Sequence, residues 1–191
     1  MANQIFGLWD DGYVFDIYVT HSEFLGNDAF DNPHFNNTYS PIGKLLHDMK
    51  YNGHEDNSKL IAQMCVNFLS EWINNLNIDI ILPIPPSQVR DIQPMYLITE
   101  ELSSLLHIPY STEVLYKTSN VQAKGMKKDH KELGNTITQI KPAKRRCNIL
   151  IVDDVYDTGS TANECVRTLR NDPLINKICY FALVQTKTLR R

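Results

Sequence analysis

The chain has 191 residues, 42% hydrophobic and 21% charged, and a formal net charge of −3. That size and composition suit one soluble globular domain, 1–191, with room for a substantial core. They exclude the broad basic field of a nonspecific nucleic-acid binder, and no apolar run approaches the ~20 residues of a membrane span.

The first stretch reads as a hairpin: Gln4 to Trp9 and Tyr13 to Thr20 are aromatic and β-branched runs flanking Asp10-Asp11-Gly12. From His21 to Tyr39 the chain holds Gly26, Pro33 and several Asn and Asp residues. It reads as an irregular loop, long enough to cover a site. Residues 1–39 therefore stand as a hairpin and loop before a core of 40–191.

Ser40-Pro41 opens a helix, with serine as N-cap and proline at the first position. Ile42, Leu45, Leu46 and Met49 keep helical spacing until Asn52-Gly53. A second helix, Asn57 to Asn75, carries Leu60, Ile61, Met64, Cys65, Phe68, Leu69 and Trp72 as core positions. Ile78 to Ser87 is a buried strand whose prolines come at its end, where strands leave a sheet. Pro94 to His107 is helical by period, and Ile108-Pro109-Tyr110 starts a short strand or loop. Lys117 to Lys144 is polar and lysine-rich, which suits a flap with a short helix around Asp129 to Leu133. At its end, Lys141 to Arg146 is a basic run that solvates the loop before the next strand. Lys177 to Gln185 is the last strand. This order predicts an α/β fold: a mostly parallel sheet with helices on both faces, plus the N-terminal hairpin.

The chemistry concentrates in Ile149-Leu150-Ile151-Val152-Asp153-Asp154-Val155-Tyr156-Asp157-Thr158-Gly159-Ser160-Thr161. Four apolar residues suit a strand buried on both faces, with the acidic pair where it should end. Thr158-Gly159-Ser160-Thr161 then leads into an amphipathic helix. The N–H groups of that helix start, with the three hydroxyls, can surround a phosphate. It is no P-loop, since no Lys precedes a Ser or Thr, and a single glycine makes no dinucleotide fingerprint. Ligands in such sheets bind beyond the carboxyl ends of the strands, which puts Asp153 and Asp154 at one edge with Pro85, Pro86 and Ser87. Cys65, Cys147, Cys165 and Cys179 show no paired spacing and read as reduced, mostly buried thiols; the six histidines show no metal-ligand spacing. Without a signal peptide pattern at the N-terminus, the expected compartment is the cytoplasm.

This thirteen-residue stretch resembles the phosphoribosyl-diphosphate (PRPP) motif of the type I phosphoribosyltransferases. Ser40 to Tyr51, then Ile81-Leu82-Pro83-Ile84-Pro85-Pro86, then the motif, are similar in layout to the competence-protein-F-like (ComF-like) branch, over roughly residues 40–187. Two departures stand out. The N-terminal residues carry no cysteine-rich zinc module, and Asp91-Ile92-Gln93-Pro94-Met95 replaces the branch's usual Arg-Gly-Phe-Asn-Gln.

The resemblance implies a site. Thr158, Gly159, Ser160 and Thr161 would bind the 5-phosphate, Asp153 and Asp154 would face the ribose hydroxyls, and Pro85, Pro86, Ser87 and Arg90 would hold the pyrophosphate. Lys117, Lys124, Lys127 and Lys128 of the flap are candidates to cover the leaving group. Asp157 is similar to the aspartate that exchanges a proton with the purine in 6-oxopurine transferases, and Tyr156 and Lys187 fall on the base side. The implied reaction transfers ribose 5-phosphate from PRPP to a small nucleobase-like acceptor and releases pyrophosphate. Mg²⁺ would neutralise the diphosphate, meeting Asp153 and Asp154 through water. A homodimer is compatible with the family; a non-catalytic binder of PRPP or a nucleotide is the alternative.

Overall fold

The computed structural model describes residues 2–88, 91–118 and 136–186. A five-stranded sheet organises them, in the order β1 (Asn3–Gln4), β2 (Asp11–Ile17), β9 (Ile175–Gln185), β8 (Cys147–Tyr156), β5 (Ile80–Pro83). β2, β9, β8 and β5 run parallel, and only β1 pairs antiparallel, on β2. Helices α1 (Pro41–Tyr51), α2 (Asn57–Ile73) and α3 (Pro94–Leu106) cover one face. Helix α4 (Ser160–Leu169) covers the other, with the ribbon β6 (Leu115–Lys117) and β7 (Ile137–Gln139). The expected α/β architecture, with helices on both faces, is what forms.

Strand period sets the two cores. On β8, Leu150 and Val152 face α1–α3 while Ile149 and Ile151 face α4; on β9, Phe181 and Tyr180 divide the same way. Both rings are fully buried. Runs apolar on every residue are what a strand covered on both faces needs.

The N-terminal residues depart from expectation. The hairpin forms, but its first strand has only two residues, and the second is a full member of the central sheet, in register with β9 from Asp11↔Cys179 to Ile17↔Gln185. The central sheet therefore includes a strand from before residue 40. Asp10-Asp11-Gly12 is not the turn tip: Trp9 folds back over Gly12, and a Cβ there would lie 2.3 Å from the indole nitrogen. Residues 19–39 are not an irregular loop but a second antiparallel hairpin, β3 (Val19–Asn27) with β4 (Pro33–Tyr39). The Asp28 carboxylate closes its tip by accepting from the Phe30 and Asn32 N–H groups, with Asp31 at φ 64°.

The helices match the periodicity more closely. Ser40 Oγ caps α1 by accepting from the Gly43 N–H at 3.1 Å, and α2 and α3 start at Asn57 and Pro94. Two expected core residues of α2 are exposed, however: Leu60 and Met64 lie on its outer flank, while Ile61, Cys65 and Leu69 are buried. β8 continues to Tyr156, so the acidic pair lies within its last turn of pleat and not after it. The four cysteines are free. Among the described residues no helix is long and apolar enough to cross a membrane. The expected flap helix at 129–133 lies outside the described residues.

Candidate functional site

At the carboxyl edge of the sheet a cleft of about 440 Å³ opens between the loop after β5, the end of β8 and the end of α1. Backbone pairing continues into that loop, since the Ile84 N–H donates to the Val152 carbonyl at 2.8 Å. It brings Pro85, Pro86 and Ser87 beside Asp153 and Asp154, with Thr161 at the start of α4 and Lys117 at the end of β6.

The alternation of β8 separates the two acids by face. Asp153 follows Ile149 and Ile151 toward α4; its Oδ2 accepts from the Tyr180 hydroxyl at 2.7 Å and its Oδ1 from the Asp154 N–H at 2.8 Å. Asp154 follows Leu150 and Val152 toward α1, where Lys50 Nζ lies 2.5 Å from its Oδ2. Burial, then the charge of Asp154, pushes Asp153 up to about 7. Burial chiefly, with Asp153 beside it, pushes Tyr180 well above the ordinary phenol range. Tyr18 rises to about 12, through burial and then Tyr39, Tyr51 and Asp154.

Asp153 therefore gives stability a definite pH dependence. Its folded value, about 7, lies above the ordinary 3.8, so the folded protein keeps a proton that the unfolded chain releases. The stabilisation is complete below about pH 4 and is lost as pH rises to about 7. An asparagine in place of Asp153 would stay neutral throughout, its oxygen accepting from the Asp154 N–H and its amide donating to Tyr180. In melts from about pH 5 to about pH 8, the Asp153→Asn protein is expected to gain on the wild type as pH rises. Parallel melting curves would exclude the shift.

The turn after β8 is built around Gly159, at φ 74° and ψ 8° as N-cap of α4. A Cβ there would meet Tyr156 Cε2 at 2.9 Å. Gly159 brings no side-chain cap to α4, the Thr158 Oγ1 accepts from the Ser160 N–H at a long 3.4 Å, and no acid occupies the first turn. Those are the conditions under which helix N–H groups and the dipole favour an anion. The Thr158 and Ser160 hydroxyls are 2.7 Å apart on the exposed rim of the turn. They stand outside the cleft wall that Thr161 joins.

The base-side candidates are placed differently. Asp157 is exposed, and its Oδ1 accepts from the Thr186 hydroxyl at 2.7 Å. Thr186 in turn lines a groove of about 370 Å³ with Tyr18, Val19, Thr20, His21, Ser22 and Asn37, at the base of the β3–β4 hairpin. The Tyr156 ring packs among Trp9, Tyr180 and Gly159. Arg90, Lys124, Lys127, Lys128 and Lys187 lie outside the described residues. Sequence reasoning did not single out Lys50, Tyr180, Gln93 or Tyr96, the last two also lining the cleft. Each sits in an ordinary helical or strand pattern or beside one, and only tertiary packing brings it to the acids.

The same donors decide what metal the site could hold. Among the described residues no cluster of three His, Cys, Asp or Glu side chains could hold an ion. Asp153 is buried and hydrogen-bonded, and Asp154 is ion-paired. These donors do not form a protein cage for a metal. What they could meet is a hydrated ion such as Mg²⁺, which keeps its waters and takes few protein ligands.

No protein-family model matches the chain, and no curated protein matches it. Among solved structures it is similar to adenine phosphoribosyltransferase from Saccharomyces cerevisiae, at 14% identity and TM-score 0.48, over 86% of this chain and 83% of that one. It is similar to adenine phosphoribosyltransferase from Leishmania tarentolae at 11% identity and TM-score 0.48, over 98% of this chain and 95% of that one. It is also similar to UMP synthase from Leishmania donovani at 17% identity and TM-score 0.42, over 86% of this chain and only 28% of the other. At such identities and TM-scores, activity is decided by the geometry of the site itself.

Proposed function

We propose that the chain is a phosphoribosyltransferase that moves ribose 5-phosphate from PRPP to a nitrogen of a nucleobase-like acceptor and releases pyrophosphate. One observation carries the reading: an acidic pair, a helix start approached through a positive-φ glycine, and the Pro85–Ser87 loop converge on one cleft that also carries Lys50 and Lys117. The 5-phosphate would sit on Thr158–Thr161, the ribose against Asp153 and Asp154, and the diphosphate toward Pro85, Pro86, Ser87 and Arg90. Lys117 and the other flap lysines, Lys124, Lys127 and Lys128, would cover it. Mg²⁺, carried on the diphosphate, would offset its charge.

In the step itself, the acceptor nitrogen uses its lone pair to form a bond to the anomeric carbon. The bond from that carbon to the diphosphate oxygen breaks, and its electron pair leaves with pyrophosphate. Positive charge grows on the ring at the transition state, so an ionised carboxylate beside it stabilises it. A proton from the acceptor N–H passes to Asp157. The groove floored by Thr186 would take the acceptor, since the Asp157–Thr186 hydrogen bond ties it to the phosphate turn. Tyr156 would support that turn from behind, and Lys187 is assigned to the base side. The alternative is a binder of PRPP or a nucleotide that performs no transfer.

Calorimetric titration with PRPP and Mg²⁺ tests the binding half of the reading. The wild type is expected to bind, and the Asp153→Asn, Asp154→Asn double variant to bind about ten- to a hundredfold more weakly, the usual effect of losing a charge-assisted hydrogen bond. Equal affinity in a folded double variant would overturn the assignment of the acids to ribose.

A further inference from the structure

Helix α1 has two lysines paired with aspartates, and the two pairs differ in kind. Lys44 and Asp48 form an i,i+4 pair with the lysine side chain 58% exposed, an arrangement that contributes little. Lys50, in the last turn of the same helix, reaches across to Asp154 of β8, and its side chain is only 13% exposed. Lys50 also lines the cleft beside Ser87, Asp153 and Lys117. An ammonium carries three N–H donors, and one contact at 2.5 Å to Asp154 leaves donors for a second anion. A diphosphate and the Asp154 carboxylate would repel each other in one cleft, and a lysine between them offsets that repulsion in addition to any metal on the diphosphate.

On the reading of the cleft as a PRPP site, we propose that Lys50 bridges Asp154 and the diphosphate of the substrate. It would thus tie the leaving group to the residue that faces the ribose. The cation comes from α1, not from the loop after β5 or the lysine-rich flap, so leaving-group binding would not depend on the flap alone. Arg or Met would not substitute: Met carries no charge, and the planar guanidinium replaces a compact ammonium with a wider fork.

Three ligands separate this role from a merely structural one: PRPP, magnesium pyrophosphate and ribose 5-phosphate, titrated into wild type and Lys50→Met. Loss of a charge-assisted contact predicts PRPP and pyrophosphate affinities lower by about ten- to a hundredfold. Ribose 5-phosphate, which has no diphosphate, should bind within about threefold of wild type, well under the tenfold that 1.4 kcal/mol represents. Lys50→Gln, whose amide can still donate to Asp154, keeps the experiment decisive should Lys50→Met fold poorly, and the same pattern is expected. If ribose 5-phosphate weakens as much as PRPP, Lys50 acts only by holding Asp154 and the bridge is refuted. If none of the three changes, Lys50 has no part in binding. A wild type that binds pyrophosphate but neither ribose ligand would instead refute the PRPP reading, a result distinct from either.

Discussion

Replacing Asp157 by asparagine is expected to cut turnover by about 10²–10⁴-fold, the contribution of one positioned acid or base, while leaving PRPP affinity nearly intact. Asparagine keeps an oxygen for the Thr186 hydroxyl, which now donates to Asp157 Oδ1 at 2.7 Å, so the link between turn and groove survives. It cannot take the acceptor's proton. Because Asp157 is exposed and bonds a side chain of the next strand end, it is not locked into capping its own turn. Single-turnover kinetics at saturating PRPP would read the effect. Equal rates in wild type and variant would remove Asp157 from the chemistry and favour the alternative of a binder without transfer.

The second large effect is expected at Gly159. Valine there would need a β-branched residue at φ 74°, with its Cβ 2.9 Å from the Tyr156 ring. A left-handed conformation costs an ordinary L-residue about 1–2 kcal/mol, and overpacking adds about 1–3 kcal/mol. The turn would relieve this by changing its backbone, which moves the N–H groups of Ser160 and Thr161 off the phosphate. PRPP affinity in Gly159→Val is therefore expected to fall by about two orders of magnitude, at 1.4 kcal/mol per tenfold. Titration with ribose 5-phosphate should show the same loss, since the 5-phosphate is common to both. An unchanged affinity for either ligand would mean that the phosphate binds elsewhere.

The parts of this fold visible in the sequence are those whose burial is periodic. Ile149 to Val152 and Ile178 to Val184 are apolar at every residue because both faces of β8 and β9 are covered, and Ser40-Pro41 announces α1 by chemistry that acts within one turn. The β3–β4 hairpin gave no such sign: Phe24, Leu25 and Phe35 are exposed, so nothing in its alternation marks a buried face. Asp10-Asp11-Gly12 misled for a related reason, since Gly12 is required by the Trp9 ring above it and not by a tight turn. Leu60 and Met64 fit a helical stripe wider than the face α2 buries. At the site, the acids, the glycine turn and the proline loop were legible as local motifs. The partners that set their chemistry were not. Lys50 is 104 residues from Asp154, and Tyr180 is 27 from Asp153; no short-range pattern encodes either contact.

Release of pyrophosphate tests the account most directly. The protein is incubated with PRPP and Mg²⁺, with and without each of a panel of purine and pyrimidine bases, and pyrophosphate is followed by a coupled assay. The account predicts release that depends on at least one base, appears together with the corresponding nucleoside monophosphate, and is lost in the Asp153→Asn, Asp154→Asn double variant. Tight PRPP binding with no base-dependent release across the panel would contradict transfer and leave a PRPP-binding protein in its place.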